Sequence, residues 1–163
     1  MNTNDESLKP ITIEGARLIF RNFEGREERF NAKGRRNFCV LLDEDIANEL
    51  SNDGWNVKYL SPREEGDAPQ AYIQVKVTFG KRPPKVVVIT GSKKKLFDES
   101  DISKLDWMTF EHVDVKIRPY EYDINGKTGV SAYLKTMYAT LMEDELDAKY
   151  ASIEEDDDLP FEE

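Results

Sequence analysis

The residues of this chain best suited to act on another molecule are tyrosines interleaved with lysines and arginines. If Val113 to Ile124 is a strand, Asp114, Lys116, Arg118, Tyr120 and Tyr122 share one face; in Val130 to Leu141 the matching set is Ser131, Tyr133, Lys135 and Met137. Asn125-Gly126-Lys127-Thr128-Gly129 joins the two, and Asn-Gly is a strong hairpin signal because a tight primed turn requires positive φ. A tight register through this turn puts both sets on one side of the sheet. Tyr72 and Lys76 repeat the pattern in Ala71 to Phe79, where apolar and polar residues alternate. Rings among cations on a sheet surface suit a flexible polyanion with flat bases, each stacked base contributing roughly 1–3 kcal/mol. The same pattern also serves as ordinary cross-strand packing on a wet face.

The remaining cations are segregated. Val75 to Phe97 holds seven (Lys76, Lys81, Arg82, Lys85, Lys93, Lys94, Lys95) and no acid, and Arg29 to Leu42 holds Arg29, Lys33, Arg35 and Arg36, again with no acid. Such segregation predicts a positive groove that attracts phosphates by releasing their counterions. The candidate nucleic-acid-contacting set is therefore Arg35, Arg36, Tyr72, Lys76, Lys81, Arg82, Lys93, Lys94, Lys95, Lys116, Arg118, Tyr120, Tyr122, Tyr133 and Lys135. Lys93-Lys94-Lys95 reads equally well as a solvated loop. Trp55 and Trp107 could stack on bases, but core or rim positions suit them better.

Catalysis finds little support. His112 and Cys39 are the only histidine and cysteine, too few for a zinc constellation or a disulfide. The acids Asp98, Glu99, Asp101 and Asp106 fall around an expected helical turn, where capping explains them. Gly126-Lys127-Thr128 echoes the end of a phosphate-binding P-loop, but its upstream glycine is missing and its setting is a hairpin. The expectation is a protein with no enzymatic activity, no metal and no cofactor.

The elements that must position these side chains are mostly strands: Ile11 to Phe23 with a bend at Gly15, Arg36 to Leu42, Trp55 to Leu60, Ala71 to Phe79, Lys85 to Thr90 and the hairpin pair. Asp43 can cap a short helix, Glu44 to Ser51, with Ile46, Ala47 and Leu50 on one face. Strands without regular intervening helices argue against a parallel doubly wound sheet. The predicted class is mainly β, an antiparallel barrel of the oligonucleotide-binding (OB) type with one or two short helices. Residues 1–10 are expected to be flexible, 11–142 to form the binding domain, and 143–163 a short helix and an acidic tail. The formal net charge of −10 sits entirely in the last 21 residues, leaving a body with no net charge. The tail's acids and its Leu159-Pro160-Phe161 cannot bury enough apolar surface to fold alone, so a disordered interaction segment is expected. No signal peptide or membrane-length apolar run is present in the sequence, and the single cysteine fits a reducing, cytoplasmic setting.

Glu-Asp-Asp-Asp-Leu-Pro-Phe, ending at Phe161, resembles the acidic tip of bacterial single-stranded DNA-binding proteins. The body is more similar to single-stranded DNA-binding proteins of bacteriophages. The resemblance is carried by residues 14–23, Gly34-Arg35-Arg36-Asn37-Phe38-Cys39-Val40, residues 53–58, Ile117-Arg118-Pro119-Tyr120, and Asn125 to Gly129 through Tyr133-Leu134-Lys135. It implies coating of single-stranded DNA with little sequence preference during replication and recombination, in a host cytoplasm. It also implies capture of replication or recombination proteins by Asp156, Asp157, Asp158, Leu159, Pro160 and Phe161. Glu162 and Glu163 depart from the bacterial tip, in which Phe is last. A homo-oligomer is left open and no membrane partner is expected. The rival reading is an acidic DNA mimic that inhibits a DNA-processing enzyme; the segregated basic stretches, which a mimic does not require, weigh against it.

Overall fold

The computed structural model describes residues 8–62 and 64–142; the acidic tail expected at 143–163 lies outside them. Among the described residues, nine strands form one sheet that curls without closing: β1 (Ile11–Ile13), β2 (Leu18–Asn22), β3 (Arg36–Leu42), β4 (Val57–Leu60), β5 (Gln70–Val77), β6 (Lys85–Thr90), β7 (Lys93–Phe97), β8 (Phe110–Ile124) and β9 (Lys127–Leu141). The main path runs β1-β8-β9-β5-β3-β2, with β4 added to β5 and the β6–β7 ribbon added to β9. Helix α1 (Glu44–Asn52) links β3 to β4, and a 3-10 helix (Ile102–Asp106) precedes β8. The architecture is mainly β and OB-like, as the sequence predicts. Most pairings are antiparallel, but β9 meets both β5 and β6 in parallel.

Alternation builds the core. On β5, Ala71, Ile73, Val75 and Val77 are buried, while Tyr72, Gln74 and Lys76 are half-buried on the other face. The inward residues of β3, β6, β8 and β9 join them, including Phe38, Val40, Val86, Val115, Ile117, Leu134 and Met137, with the Phe23 and Phe38 rings stacked at 4.9 Å. In α1, Ala47 and Leu50 are buried. Asp43 stands at its N-cap position, but its side chain makes no capping hydrogen bond, contrary to the sequence reading.

Three local features depart from expectation. The strand expected over residues 11–23 is two strands, broken where Gly15 adopts φ +62°. Lys93-Lys94-Lys95 forms β7, paired with β6, where a loop was an equal alternative. The hairpin register contains a bulge: Lys116 pairs with Thr136 but Ile117 with Leu134, so Lys135 is the extra residue. The bulge reverses the alternation beyond it. Met137, expected on the wet face with Tyr133, is fully buried opposite Val115. The turn itself follows prediction, with Asn125 at φ +54° and Gly126 at φ +85°.

The sheet stays open between β2 and the start of β8. The hydrogen bond from Ala16 N to Val113 O, 2.7 Å, crosses near one end of this seam. The remainder is a cleft of about 460 Å3 lined by residues such as Arg17, Arg21, Phe110 and His112.

Candidate nucleic-acid interface

Parity and register bring part of the predicted set together on the outer face of the sheet. Arg118 lies directly across from Tyr133, Tyr120 across from Ser131, and Lys76 of β5 beside Tyr133. The Tyr133 ring is the hub. The Arg118 guanidinium sits 4.8 Å from its centroid, the Lys76 ammonium 5.7 Å, and the Tyr120 ring meets it edge-on at 5.9 Å. Two cations are thus held beside two rings, one of them, Tyr120, mostly exposed.

A loop forms the opposite wall. Residues 24–35, between β2 and β3, leave a groove of about 470 Å3 lined by Phe30, Asn31, Arg35, Asn37, Lys76 and Tyr133, among others. It runs into a second hollow of about 340 Å3 that shares Phe30, Asn31, Asn37 and Gln74 and reaches Phe20, Arg29, Lys58 and Tyr72. At the tip, Phe30 is 91% exposed, with the Arg29 guanidinium 5.2 Å from its ring. Phe20 is also exposed, adopts φ +51° at an irregularity in β2, and meets Tyr72 edge-on at 5.9 Å. A bulky residue in the left-handed region is strained, and strain of this kind collects at binding sites.

The loop is fixed by buried polar groups. Asn22 Oδ1 accepts from Gly25 N and Arg26 N at 3.0 and 2.8 Å, while its Nδ2 donates to Arg26 O at 3.0 Å. The Asp106 side chain, 2% exposed, accepts from Phe23 N at 2.7 Å, Glu24 N at 3.0 Å and Arg26 Nη1 at 3.1 Å. Asn31 donates to Arg26 O and Arg35 O. Gly25, at φ +80°, packs against Gly34, and a Cβ on Gly25 would fall 3.1 Å from the Gly34 carbonyl carbon. Phe30 is therefore carried on a scaffold braced at several points, which lowers the ordering cost of binding.

Other predicted residues have other surroundings. Arg36 donates to Phe23 O at 2.6 Å and Glu24 O at 3.2 Å, bracing the loop from the groove's edge. Tyr122 exchanges hydrogen bonds with Asn56 and covers Gly129, away from Tyr133. Lys81 and Arg82 are exposed between β5 and β6, outside both hollows. The β7 lysines divide: Lys95 turns toward Asp101 at 3.8 Å, while Lys94 shares the outer face with Ile89. Lys116 and Lys135 are exposed at the bulge. Trp55 is buried, and Trp107 is 77% exposed beside the 3-10 helix.

The acids around the 3-10 helix are used within the fold. Asp98 accepts from the Ser100 hydroxyl and N–H, which hold its carboxyl below its ordinary range. Asp101 pairs with Lys95 and Lys104, and Asp106 holds the loop. Cys39 is buried, but its alternation places it on the groove face beneath Gln74; burial pushes its thiol up to about 11, against a smaller opposing effect of Lys58. Sequence reasoning missed Phe20, Phe30, Asn31, Asn37 and Gln74. The pair Arg29-Phe30, an aromatic inside a charged loop, was the available signal for one of them.

A profile of the putative phage ssDNA-binding domain matches residues 2–161. The chain belongs to this family. Comparison with curated protein sequences gives no match. Among solved structures, the chain is similar to the single-stranded DNA-binding protein from bacteriophage Enc34 in complex with ssDNA, at 10% identity and TM-score 0.56, covering 83% of this chain and 88% of that one. A C-terminal truncation of the Enc34 protein aligns at 11% identity and TM-score 0.54, over 83% and 87%. The single-stranded DNA-binding protein of bacteriophage T7 aligns at 11% identity and TM-score 0.44, over 96% and 98%. The two Enc34 likenesses, at such low identity, speak to the fold alone; family membership supports single-stranded DNA binding by this chain. Among the described residues, no helix is long and apolar enough to cross a membrane.

Proposed function

We propose that residues 11–142 bind single-stranded DNA in the groove between the 24–35 loop and the outer face of β3, β5 and β9, with little sequence preference. The observation that carries this reading is the Tyr133 cluster, where one ring is flanked by Arg118, Lys76 and Tyr120 and faces the exposed Phe30 across the groove. Bases stack on Tyr133, Tyr120 and Phe30, while Lys76, Arg118, Arg35 and Lys135 follow the phosphates. Stacking requires unpaired bases, so single strands are preferred over duplex. The role is protection of exposed strands during replication and recombination, in the cytoplasm of a host cell, without covalent chemistry.

The acidic segment is the proposed regulatory and recruiting element. Its sequence, 11 acids and one lysine in 21 residues, supports competition with DNA for the cationic groove at the high local concentration a tether imposes. Leu159-Pro160-Phe161, preceded by Asp156-Asp157-Asp158, supplies an apolar hook that a replication or recombination protein with a Lys/Arg-rimmed pocket can capture. The deciding experiment is a titration of oligo-dT and of duplex DNA over a range of salt concentrations. The expected result is tighter binding of the single strand, with log affinity falling linearly with log salt. Absence of single-strand binding at low salt by residues 1–142, in folded form, sinks the reading.

A further inference from the structure

We propose that the DNA-binding surface continues past the groove onto the β6–β7 ribbon, where Tyr138 is a second stacking platform for the same single strand. This rests on the reading above and adds a site to it. Tyr138 lies on the outer face of β9, 38% exposed, with the Lys85 ammonium 5.7 Å from its ring centroid. This repeats the arrangement of Lys76 over Tyr133. Beside Tyr138 in register stands Val87 of β6, itself buried, then Leu96 of β7, which is 64% exposed, so apolar side chains line up as a shelf across three strands at one level, with Tyr138 and Leu96 accessible on either side. Lys94 lies on the same outer face one step further along β7.

Two features make the shelf continuous with the groove. Tyr133 and Tyr138 are five residues apart, so strict alternation would turn them to opposite faces. The extra residue at Lys135 brings both rings outward. Their separation along the strand is roughly 15 Å at about 3.3 Å per residue, a span that a few nucleotides cover. The surface between them carries Lys135, Thr136 and, across the hairpin, Lys116. Asp114, the carboxylate directly across from Tyr138, is occupied by Gly15 N at 3.0 Å and His112 at 2.9 Å. An apolar shelf rimmed by Lys85, Lys94 and Lys116 is complementary to bases carried on a phosphate chain. Lysines on the free edge of β7 also block edge-to-edge pairing, but that role places no demand on Tyr138 or Lys85.

The test compares oligo-dT of two lengths, about 5 and about 15 nucleotides, both within the range one OB-type domain can occupy. Tyr138→Ala should leave the short oligonucleotide's affinity within about twofold and weaken the long one about fivefold or more. Lys85→Gln, at an exposed position, is the second variant; it should lower the long oligonucleotide's salt slope by about 0.7 and leave the short one's unchanged. Tyr133→Ala, as control, should weaken both. Wild-type affinity of folded Tyr138→Ala for the long strand, with Tyr133→Ala impaired, overturns the extension and leaves the groove standing. If Tyr133→Ala also binds both strands normally, the groove reading fails and the extension with it. If Tyr138→Ala instead changes only self-association of the DNA-free protein, the shelf is a contact between copies and the proposal is wrong.

Discussion

Replacing Tyr133 with alanine tests the groove at its centre. The ring is half-buried on the outer face, so its removal leaves the inward residues Ala132 and Leu134 in place. The loss to DNA binding has two parts. One stacked base contributes roughly 1–3 kcal/mol. The ring also holds Arg118 at 4.8 Å and Lys76 at 5.7 Å, and each such contact is worth about 0.5–1 kcal/mol at an exposed site. Releasing these side chains keeps their charge beside the groove, so the phosphates stay neutralised and this second part adds little to the loss of affinity. Taking the stacking range alone, at about 1.4 kcal/mol per tenfold, affinity should fall by roughly 5- to 150-fold. Anisotropy titrations of labelled oligo-dT at several salt concentrations measure it. Because stacking involves no counterion release, the line of log affinity against log salt should drop in parallel, with unchanged slope. Arg118→Gln should do the converse, flattening the slope by about 0.7. Tyr133→Phe keeps the ring and should bind within about twofold of wild type. A folded Tyr133→Ala protein with wild-type affinity, or one whose loss appears as a changed slope, refutes base stacking at this position.

The other predictions address the loop, the tail and the thiol. Asp106→Ala strands two backbone donors and Arg26, each unmet buried donor costing about 1–3 kcal/mol; urea unfolding should show a loss of roughly 2–5 kcal/mol, and a near-neutral result would mean the loop is not held through Asp106. Phe30→Ala should leave the unfolding midpoint unchanged, since its ring is 91% exposed, yet weaken oligo-dT binding about fivefold or more; unaltered affinity removes Phe30 from the interface. Deleting residues 143–163 removes the −10 charge and should strengthen oligo-dT binding, most at low salt; unchanged affinity at low salt would mean the tail does not compete. Cys39 has its thiol pushed up to about 11 by burial, so native protein should resist thiol reagents at pH 8. Above about pH 9 the unfolded thiol ionises and the folded one does not. Stability should therefore fall as pH rises from there toward about 11, and Cys39→Ala should lack that component of the decline.

What was legible in the sequence follows from how local the determining interactions are. The alternation of β5, the primed turn at Asn125-Gly126 and the buried run of β6 each depend on residues adjacent in the chain, and each appears where its pattern falls. The 24–35 loop was legible only as polar and glycine-containing. Its shape depends on Asp106, which lies 83 positions from Phe23, and on an Asn22 side chain buried beneath it. Nothing local distinguishes such an acid from a solubilising one, so Asp106 was read as a capping residue and the aromatic it positions, Phe30, was passed over. The cations were found as a composition, but composition cannot tell Lys76, beside a ring in a groove, from Lys95, turned toward Asp101 on the opposite side of its strand.

The bulge at Lys135 shows why the same tyrosines carry different meanings before and after folding. By alternation alone, Tyr133 and Met137 are equivalent and Tyr138 belongs to the interior. One inserted residue exchanges the last two: Met137 enters the core opposite Val115, and Tyr138 turns outward beneath Lys85. The exchange is consistent on both faces, since a thioether fills an interior gap without a polar partner, whereas a buried tyrosine hydroxyl requires one. Core packing and the spread of rings on the outer face are thus set by the same irregularity. Deleting Lys135 would restore regular pairing and keep Met137 opposite Val115 and Tyr138 opposite Asp114, so both would hold their present faces. Inserting one residue between Lys116 and Ile117, opposite Lys135, would instead turn Met137 out and Tyr138 in; the insertion should lower stability and weaken binding of long oligo-dT together, whereas the deletion should do neither.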